Sequence, residues 1–214
     1  MKTQPYFICF ILTFILLSCS NSSKQITLSQ LEEKDGVFCL RETNTPYSGK
    51  IVTNHYNGTK NIEMTLVDGK YEGIKKIWYE DGKKNAEINY KNGKLNGKWT
   101  KWSKKGKVYS EENYTSGKKN GVFKIYYDDG SLKQENNYKN GLEDGSTTKW
   151  YKNGQKYIVG NYKNGKKDGD WTAWYKDGKL TYEKHYKDGE QSGTWKNFTK
   201  EGKLVDKVVF SDGK

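Results

Sequence analysis

The sequence predicts an all-β protein in which tandem 24-residue β-hairpin repeats form an elongated, twisted antiparallel sheet. Three observations carry that expectation. Glycine recurs every 24 residues, aromatic residues share the period, and the 214-residue chain is only 33% hydrophobic, with a mean hydropathy of −1.05. So little apolar material excludes a deep aliphatic core, an α/β enzyme of usual composition and a polytopic membrane protein. Yet 17 Tyr, 7 Trp and 7 Phe are more aromatic residues than a disordered chain carries.

Gly82, Gly106, Gly130, Gly154, Gly178 and Gly202 form one column of the repeat. Gly69, Gly93, Gly117, Gly141, Gly165, Gly189 and Gly213 form a second, and Gly73, Gly97, Gly121, Gly145, Gly169 and Gly193 a third. Gly58 and Gly49 extend the first and third columns, and only Gly36 and Gly160 stand outside. Trp78, Trp102, Tyr126, Trp150, Trp174 and Phe198 make an aromatic column. Trp99, Phe123, Trp171 and Trp195 stand three residues earlier, with Lys75 and Thr147 as exceptions. Tyr90, Tyr114, Tyr138, Tyr162, Tyr186 and Phe210 precede the second glycine column by three residues. Tyr79, Tyr127, Tyr151 and Tyr175 form a partial column, and Glu63, Glu87, Glu111, Glu135 and Glu183 an acidic one.

Each part of the repeat then has a reason. Lys98 to Ser103 is aromatic and β-branched, which suits a strand. Gly106 is expected at the tip of a tight turn, where other copies read Asp81-Gly82, Asp129-Gly130, Asn153-Gly154 and Asp177-Gly178. Val108 to Tyr114 returns as a strand, and Thr115 to Gly121 is expected to be a wider turn into the next copy. A lone hairpin is marginal in water, so stability must come from stacking copies side by side. Residues 45–214 hold about seven copies, the first degenerate and the last partial. Upstream, Ile26-Thr27-Leu28 and Val37-Phe38-Cys39-Leu40 read as strands that cap the first copy.

The first 18 residues read as a targeting segment. Lys2 precedes an apolar run from Tyr6 to Leu17 that is too short to span a bilayer. It ends in Leu16-Leu17-Ser18-Cys19, which resembles the bacterial lipobox; that resemblance implies an acylated Cys19 at the mature N-terminus. Residues 19–44 then comprise the lipidated cysteine, a short tether and the cap. Ser20 stands where an inner-membrane retention signal would place Asp, so the resemblance implies outer-membrane delivery. With Cys9 lost and Cys19 lipidated, Cys39 is left alone and reads as a small buried hydrophobe.

No catalytic residue, metal or cofactor is expected. The chain has no phosphate loop, nucleophile elbow, dinucleotide fingerprint or zincin motif. His55 and His185 are isolated, and each turn offers too few oxygens for calcium. The glutamate column reads as a cross-strand charge ladder with lysine. The net charge is +12, but the lysines recur at turns along the whole chain, so nucleic acid is not the expected partner. The aromatic columns leave two readings open. They are ring packing between hairpins, or they present a binding face made of Trp78, Trp102, Tyr126, Trp150 and Trp174. Strand alternation puts Trp99 and Trp102 on opposite faces, so one row of rings is expected to stay partly exposed, suited to a partner protein or a glycan.

The pattern Tyr-Lys-Asn-Gly-Lys-x-x-Gly-x-Trp-x-x-Trp-Tyr, read from Tyr162 to Tyr175, resembles the MORN-repeat variant of bacterial proteins labelled YwqK-type antitoxins. The resemblance covers residues 45–214. It implies tandem hairpins, membrane proximity and scaffolding, and by label an antitoxin or immunity role. The expectation is a non-catalytic, lipid-anchored envelope protein that presents its repeats to an unidentified envelope protein. The alternative is a polysaccharide or peptidoglycan binder.

Overall fold

The structure is a computed structural model that describes residues 26–211. The expected signal segment, Cys9, Cys19 and the tether lie outside the described residues. A 3-10 turn, Leu28–Gln30, leads into a hairpin of β1 (Leu31–Lys34) and β2 (Val37–Leu40). All later strands join one antiparallel, unclosed sheet of 16 strands in which spatial order follows chain order. They are β3 (Gly49–Asn54), β4 (Lys60–Val67), β5 (Lys70–Trp78), β6 (Lys84–Lys91), β7 (Lys94–Trp102) and β8 (Val108–Thr115). Then come β9 (Lys118–Lys119), β10 (Gly121–Tyr126), β11 (Leu132–Lys139), β12 (Leu142–Trp150) and β13 (Lys156–Lys163). The last are β14 (Lys166–Lys167), β15 (Gly169–Trp174), β16 (Leu180–Lys187), β17 (Glu190–Phe198) and β18 (Leu204–Phe210). The short β9 and β14 pair only with β8 and β13, and β3 and β18 are the two edges.

The hairpin reading is right, but its two turns are exchanged. The tight two-residue turn is Asn92-Gly93, flanked by the pair Lys91 and Lys94. Both residues are left-handed, Asn92 at φ 49° and Gly93 at φ 76°, as the twist of a two-residue hairpin demands. The turn at Gly82 is longer. Gly82 N–H donates to the Tyr79 carbonyl at 2.9 Å, and Tyr79 N–H donates to the Lys83 carbonyl at 2.9 Å. Only Gly82 is left-handed there, at φ 80°; Asp81 stays at negative φ and accepts from Lys83 N–H at 3.1 Å. The same residue pair therefore closes two turn types, and a dipeptide alone does not distinguish them.

The third glycine column is not in a turn. Gly97 lies inside β7 at φ 105°, where the β6–β7 register shifts between Ile88 and Tyr90. This bulge is bridged by a side chain from the facing strand: Asn89 Nδ2 donates to the Lys98 carbonyl at 2.6 Å. Asn113 and Asn137 repeat the bridge to Val122 and Ser146 at 2.6 and 2.9 Å. A Cβ on Gly97 would meet Asn89 Cβ at 3.2 Å, so a side chain there would be crowded as well as strained.

At the N-terminal end, Ile26 to Leu28 is not a strand: the strand of the cap is Leu31–Lys34. β1 and β2 cover one face of the first hairpins. There Leu31, Phe38, Ile51, Met64 and Leu66 form a conventional buried cluster. Cys39 is buried beside it as a free thiol.

Candidate functional site

Strand alternation gives the sheet two faces. On one, the Tyr90 and Trp99 columns meet. Tyr90 pairs across Gly73, Tyr114 across Gly97, Tyr138 across Gly121, Tyr162 across Gly145 and Tyr186 across Gly169. With no side chain opposite, each tyrosine is free to lean on a ring two residues along the neighbouring strand. Tyr114 stands 6.1 Å from Trp99 and 5.6 Å from Phe123, and Tyr138 4.6 Å from Phe123. Thr147 interrupts the run. It resumes from Tyr162 to Trp171 at 5.0 Å, Tyr186 at 6.2 Å, Trp195 at 5.1 Å and Phe210 at 4.9 Å. These are edge and tilted pairs in the favourable range for aromatic contacts.

Chemistry changes along this ladder face. Beneath the cap it is apolar. Its middle is a polar network around Glu112: Lys101 Nζ and Ser110 Oγ donate to Oε1 at 2.6 and 2.9 Å, and the Tyr114 hydroxyl donates to Oε2 at 2.7 Å, while the buried Trp99 Nε1 beside it has no partner. Burial alone would raise the Glu112 carboxyl, but these three donors outweigh it and hold it low. Thr147 donates to Asn136, and Asn136 to Glu143, each at 2.8 Å. A cavity of about 140 Å³ opens here beside Phe123, Lys119 and Tyr138. The last third carries Lys149, Lys167 and Lys184. Lys167 lies 4.5 Å over Trp171 and 4.8 Å over Tyr186; Lys184 lies 4.5 Å over Trp195 and 4.7 Å over Tyr182. Burial, then Lys184 and Lys149, lower the Lys167 ammonium, and burial pushes the Tyr182 hydroxyl up to about 12.

Trp78, Trp102, Tyr126, Trp150 and Trp174 are on the opposite face, each half-buried. Successive members are two strands apart, about 10 Å, which is beyond ring-to-ring contact. Three of them meet charges instead. Lys60 lies 5.0 Å over Trp78 and Lys84 5.3 Å over Trp102, while the Tyr126 hydroxyl donates to Glu111 at 2.8 Å. Burial and Glu111 push that hydroxyl up to about 12. The glutamate column shares this face and pairs with lysine across strands as expected, except at Glu87, whose partner is on its own strand. Glu63 binds Lys60 at 2.9 Å and Lys50 at 3.0 Å, and these hold its carboxyl down at about 2. Glu87 binds Lys84, Glu111 binds Lys98, Glu135 binds Lys124 and Glu183 binds Lys196.

The partial tyrosine column ties neighbouring repeats together. The hydroxyls of Tyr79, Tyr127, Tyr151 and Tyr175 donate to the carbonyls of Trp102, Trp150, Trp174 and Phe198 at 2.7, 2.6, 3.0 and 3.1 Å. His55 takes this place in the first copy, its Nε2 donating to the Trp78 carbonyl at 2.9 Å. His185 Nδ1 bonds Asp170 at 2.6 Å. Gly82, Gly106, Gly130, Gly154, Gly178 and Gly202 all sit at positive φ. Among the described residues, no three His, Cys, Asp or Glu side chains group as metal ligands, and no helix is long and apolar enough to cross a membrane.

The asparagine bridges, the tyrosine staples and the joining of two aromatic columns into one ladder escaped the sequence reading. The signal for the ladder was the Asn-Gly of the tight turn, which sets Tyr90 and Leu95 opposite each other and brings the next ring column alongside.

A search of the curated proteins returns no match. Among solved structures, the crystal structure of a GtfA/B complex bound to UDP and GlcNAc is similar at 15% identity, with a TM-score of 0.22. The similarity covers 78% of this chain and 28% of that one. A family model described as MORN repeat variant matches residues 71–92, 95–116, 119–140, 143–164 and 167–188. Each match spans one hairpin and ends at its next tight turn, and together they take in about half of the chain, which therefore belongs to the MORN repeat variant family.

Proposed function

We propose that this chain is a non-catalytic, lipid-anchored envelope protein, attached through acylated Cys19 at the outer membrane, whose sheet is an interaction surface for another envelope protein. Family membership supports interaction with proteins or membranes in general terms. The observation that carries the reading is the open sheet itself: two faces of half-buried rings and paired charges, repeated copy by copy. Catalysis needs a unique constellation, whereas the glutamates and lysines here recur as equivalents. A long repeat surface suits a partner that touches several copies at once.

The test is capture from detergent-solubilised envelope by the immobilised chain, with crosslinking. A saturable protein partner lost on Trp102→Ala with Trp150→Ala supports the reading. Capture unchanged by those substitutions, or none, overturns it. Acylation is tested separately by Cys19→Ala, which should release the chain from the membrane fraction or leave an uncleaved precursor.

A further inference from the structure

The last third of the ladder face differs from the rest in charge. Elsewhere on this face Lys101 pairs with Glu112, while Lys75 lies singly over Tyr71 and Lys119 over Phe123 and Tyr138; the last third gathers three cations together. Lys149, Lys167 and Lys184 have no carboxylate within ion-pair distance among the described residues. The acids on this face at either side, Glu143 and Asp206, accept instead from Asn136 and Asn197 at 2.8 and 2.7 Å. Lys167 and Lys184 are laid across rings rather than extended into solvent, so each ammonium is held in place before any ligand arrives.

We propose that this third of the ladder face binds an acidic polysaccharide of the uronic-acid type, with Tyr186 and Trp195 as ring contacts and Lys149, Lys167 and Lys184 as carboxylate partners. The proposal rests on the interaction-surface reading above and adds a ligand class to it. Three physical points favour this occupant. Half-buried rings beside fixed cations match a chain of sugar rings bearing carboxylates. An extended acidic peptide would find no backbone partners here, because sheet pairing already uses the main-chain groups of the interior strands. An anionic membrane is planar, while neighbouring strands rotate by roughly 20–25° each, so a ladder crossing several strands winds away from any plane. A flexible polymer can follow that winding.

The full-length chain in detergent is titrated with polygalacturonate, reading tryptophan fluorescence. The parallel arms are neutral dextran, polyglutamate, and vesicles of phosphatidylcholine with phosphatidylglycerol. Saturable binding to polygalacturonate, at least about tenfold tighter than to the other three, is expected. Lys167→Gln with Lys184→Gln should weaken it about tenfold or more. Lys105→Gln with Lys176→Gln removes the same charge from exposed turns and should change it less than about twofold. Circular dichroism checks that each variant is folded; if the double lysine variant fails to fold, Lys149→Gln, at an exposed position, should still weaken polygalacturonate binding about threefold or more, and unchanged binding there overturns the proposal. No binding to polygalacturonate overturns the proposal, as does equal loss in both lysine pairs or equal binding to polyglutamate or vesicles. If the polymer fails while a protein partner is still captured from the envelope, only this inference falls; if both fail, the interaction-surface reading falls with it.

Discussion

Trp171 occupies the space that a side chain at position 160 would need: a Cβ on Gly160 would stand 2.6 Å from Cε3 of the indole and closer still to Cδ2 and Cε2. The indole lies over the bare backbone, 3% exposed, and donates Nε1 to the Asn161 carbonyl at 3.1 Å. Gly160 is outside every glycine column, so its reason is this packing and not a turn. Gly160→Ala should therefore destabilise the sheet by about 1–3 kcal/mol, the scale of overpacking a core site. Denaturant unfolding followed by circular dichroism reads it. Combining the change with Trp171→Thr, which copies Thr147 of the preceding repeat, should make the alanine nearly neutral. An unchanged midpoint in the single variant would show that the ring moves aside at no cost.

The turn glycines have a different reason. Gly130 and Gly154 sit at φ 93° and 84° with open space where a Cβ would go. Gly154→Val therefore costs backbone strain alone, roughly 1–3 kcal/mol. Thermal melting is the readout. A Val variant that melts with the wild type would mean the turn tolerates a negative φ.

How much of this was legible follows from where the information lies. The period, the hairpins and the opposite facing of Trp99 and Trp102 were legible because glycine and ring columns mark strand and turn directly. Which turn is tight was not. Asp81-Gly82 and Asn92-Gly93 read alike, yet the Asp81 side chain caps Lys83 while Asn92 itself goes left-handed. That error hid the ladder. With the wide turn placed at Thr115 to Gly121, Tyr114 and Phe123 do not face each other as partners; with Ser116-Gly117 tight they stand 5.6 Å apart. Trp78 to Trp174 form a ring column nearly as regular as Tyr90 to Tyr186, but regularity in sequence says nothing about which rings touch.

The tyrosine staples make a paired prediction. Tyr151→Phe removes the bond to the Trp174 carbonyl and should cost about 0.5–1.5 kcal/mol. The copy at Ser103 lacks the staple. Ser103→Tyr should supply one to the Tyr126 carbonyl and raise stability by up to about 1 kcal/mol. Chemical denaturation of both variants is the measurement. A Ser103→Tyr variant less stable than wild type would show that this turn differs from its neighbours.

Alkaline pH should unfold the sheet late. Tyr126 and Tyr182 are pushed up from 10.0 to about 12, by burial in both and by Glu111 beside Tyr126. In the unfolded chain these phenols lose their protons near the ordinary value, so alkali favours unfolding. The stabilisation is whole below about pH 10 and is lost as pH rises through about 12. Tyrosinate absorbance should therefore show part of the tyrosines titrating together with loss of circular dichroism. Tyr126→Phe should reduce the steepness of that loss. All tyrosines titrating near 10 in an intact fold would contradict it.

Shape is the last consequence. Spatial order follows chain order from β3 to β18 without closure. Each repeat adds two strands, so a copy advances roughly 9.6 Å and about seven copies reach about 67 Å. A rod of that length with the width of a sheet has a radius of gyration of about 21 Å. A compact domain of the same number of residues would give about 16 Å. Small-angle scattering from residues 24–214 separates the two. The distinction bears on function, because the edges β3 and β18 can face each other only if the array curls on itself. A curled array would bring the lysine-rich third toward the capped end and close the ladder face to a long polymer. A value of about 21 Å leaves that face open along its whole length, whereas about 16 Å would remove the surface on which both functional proposals stand.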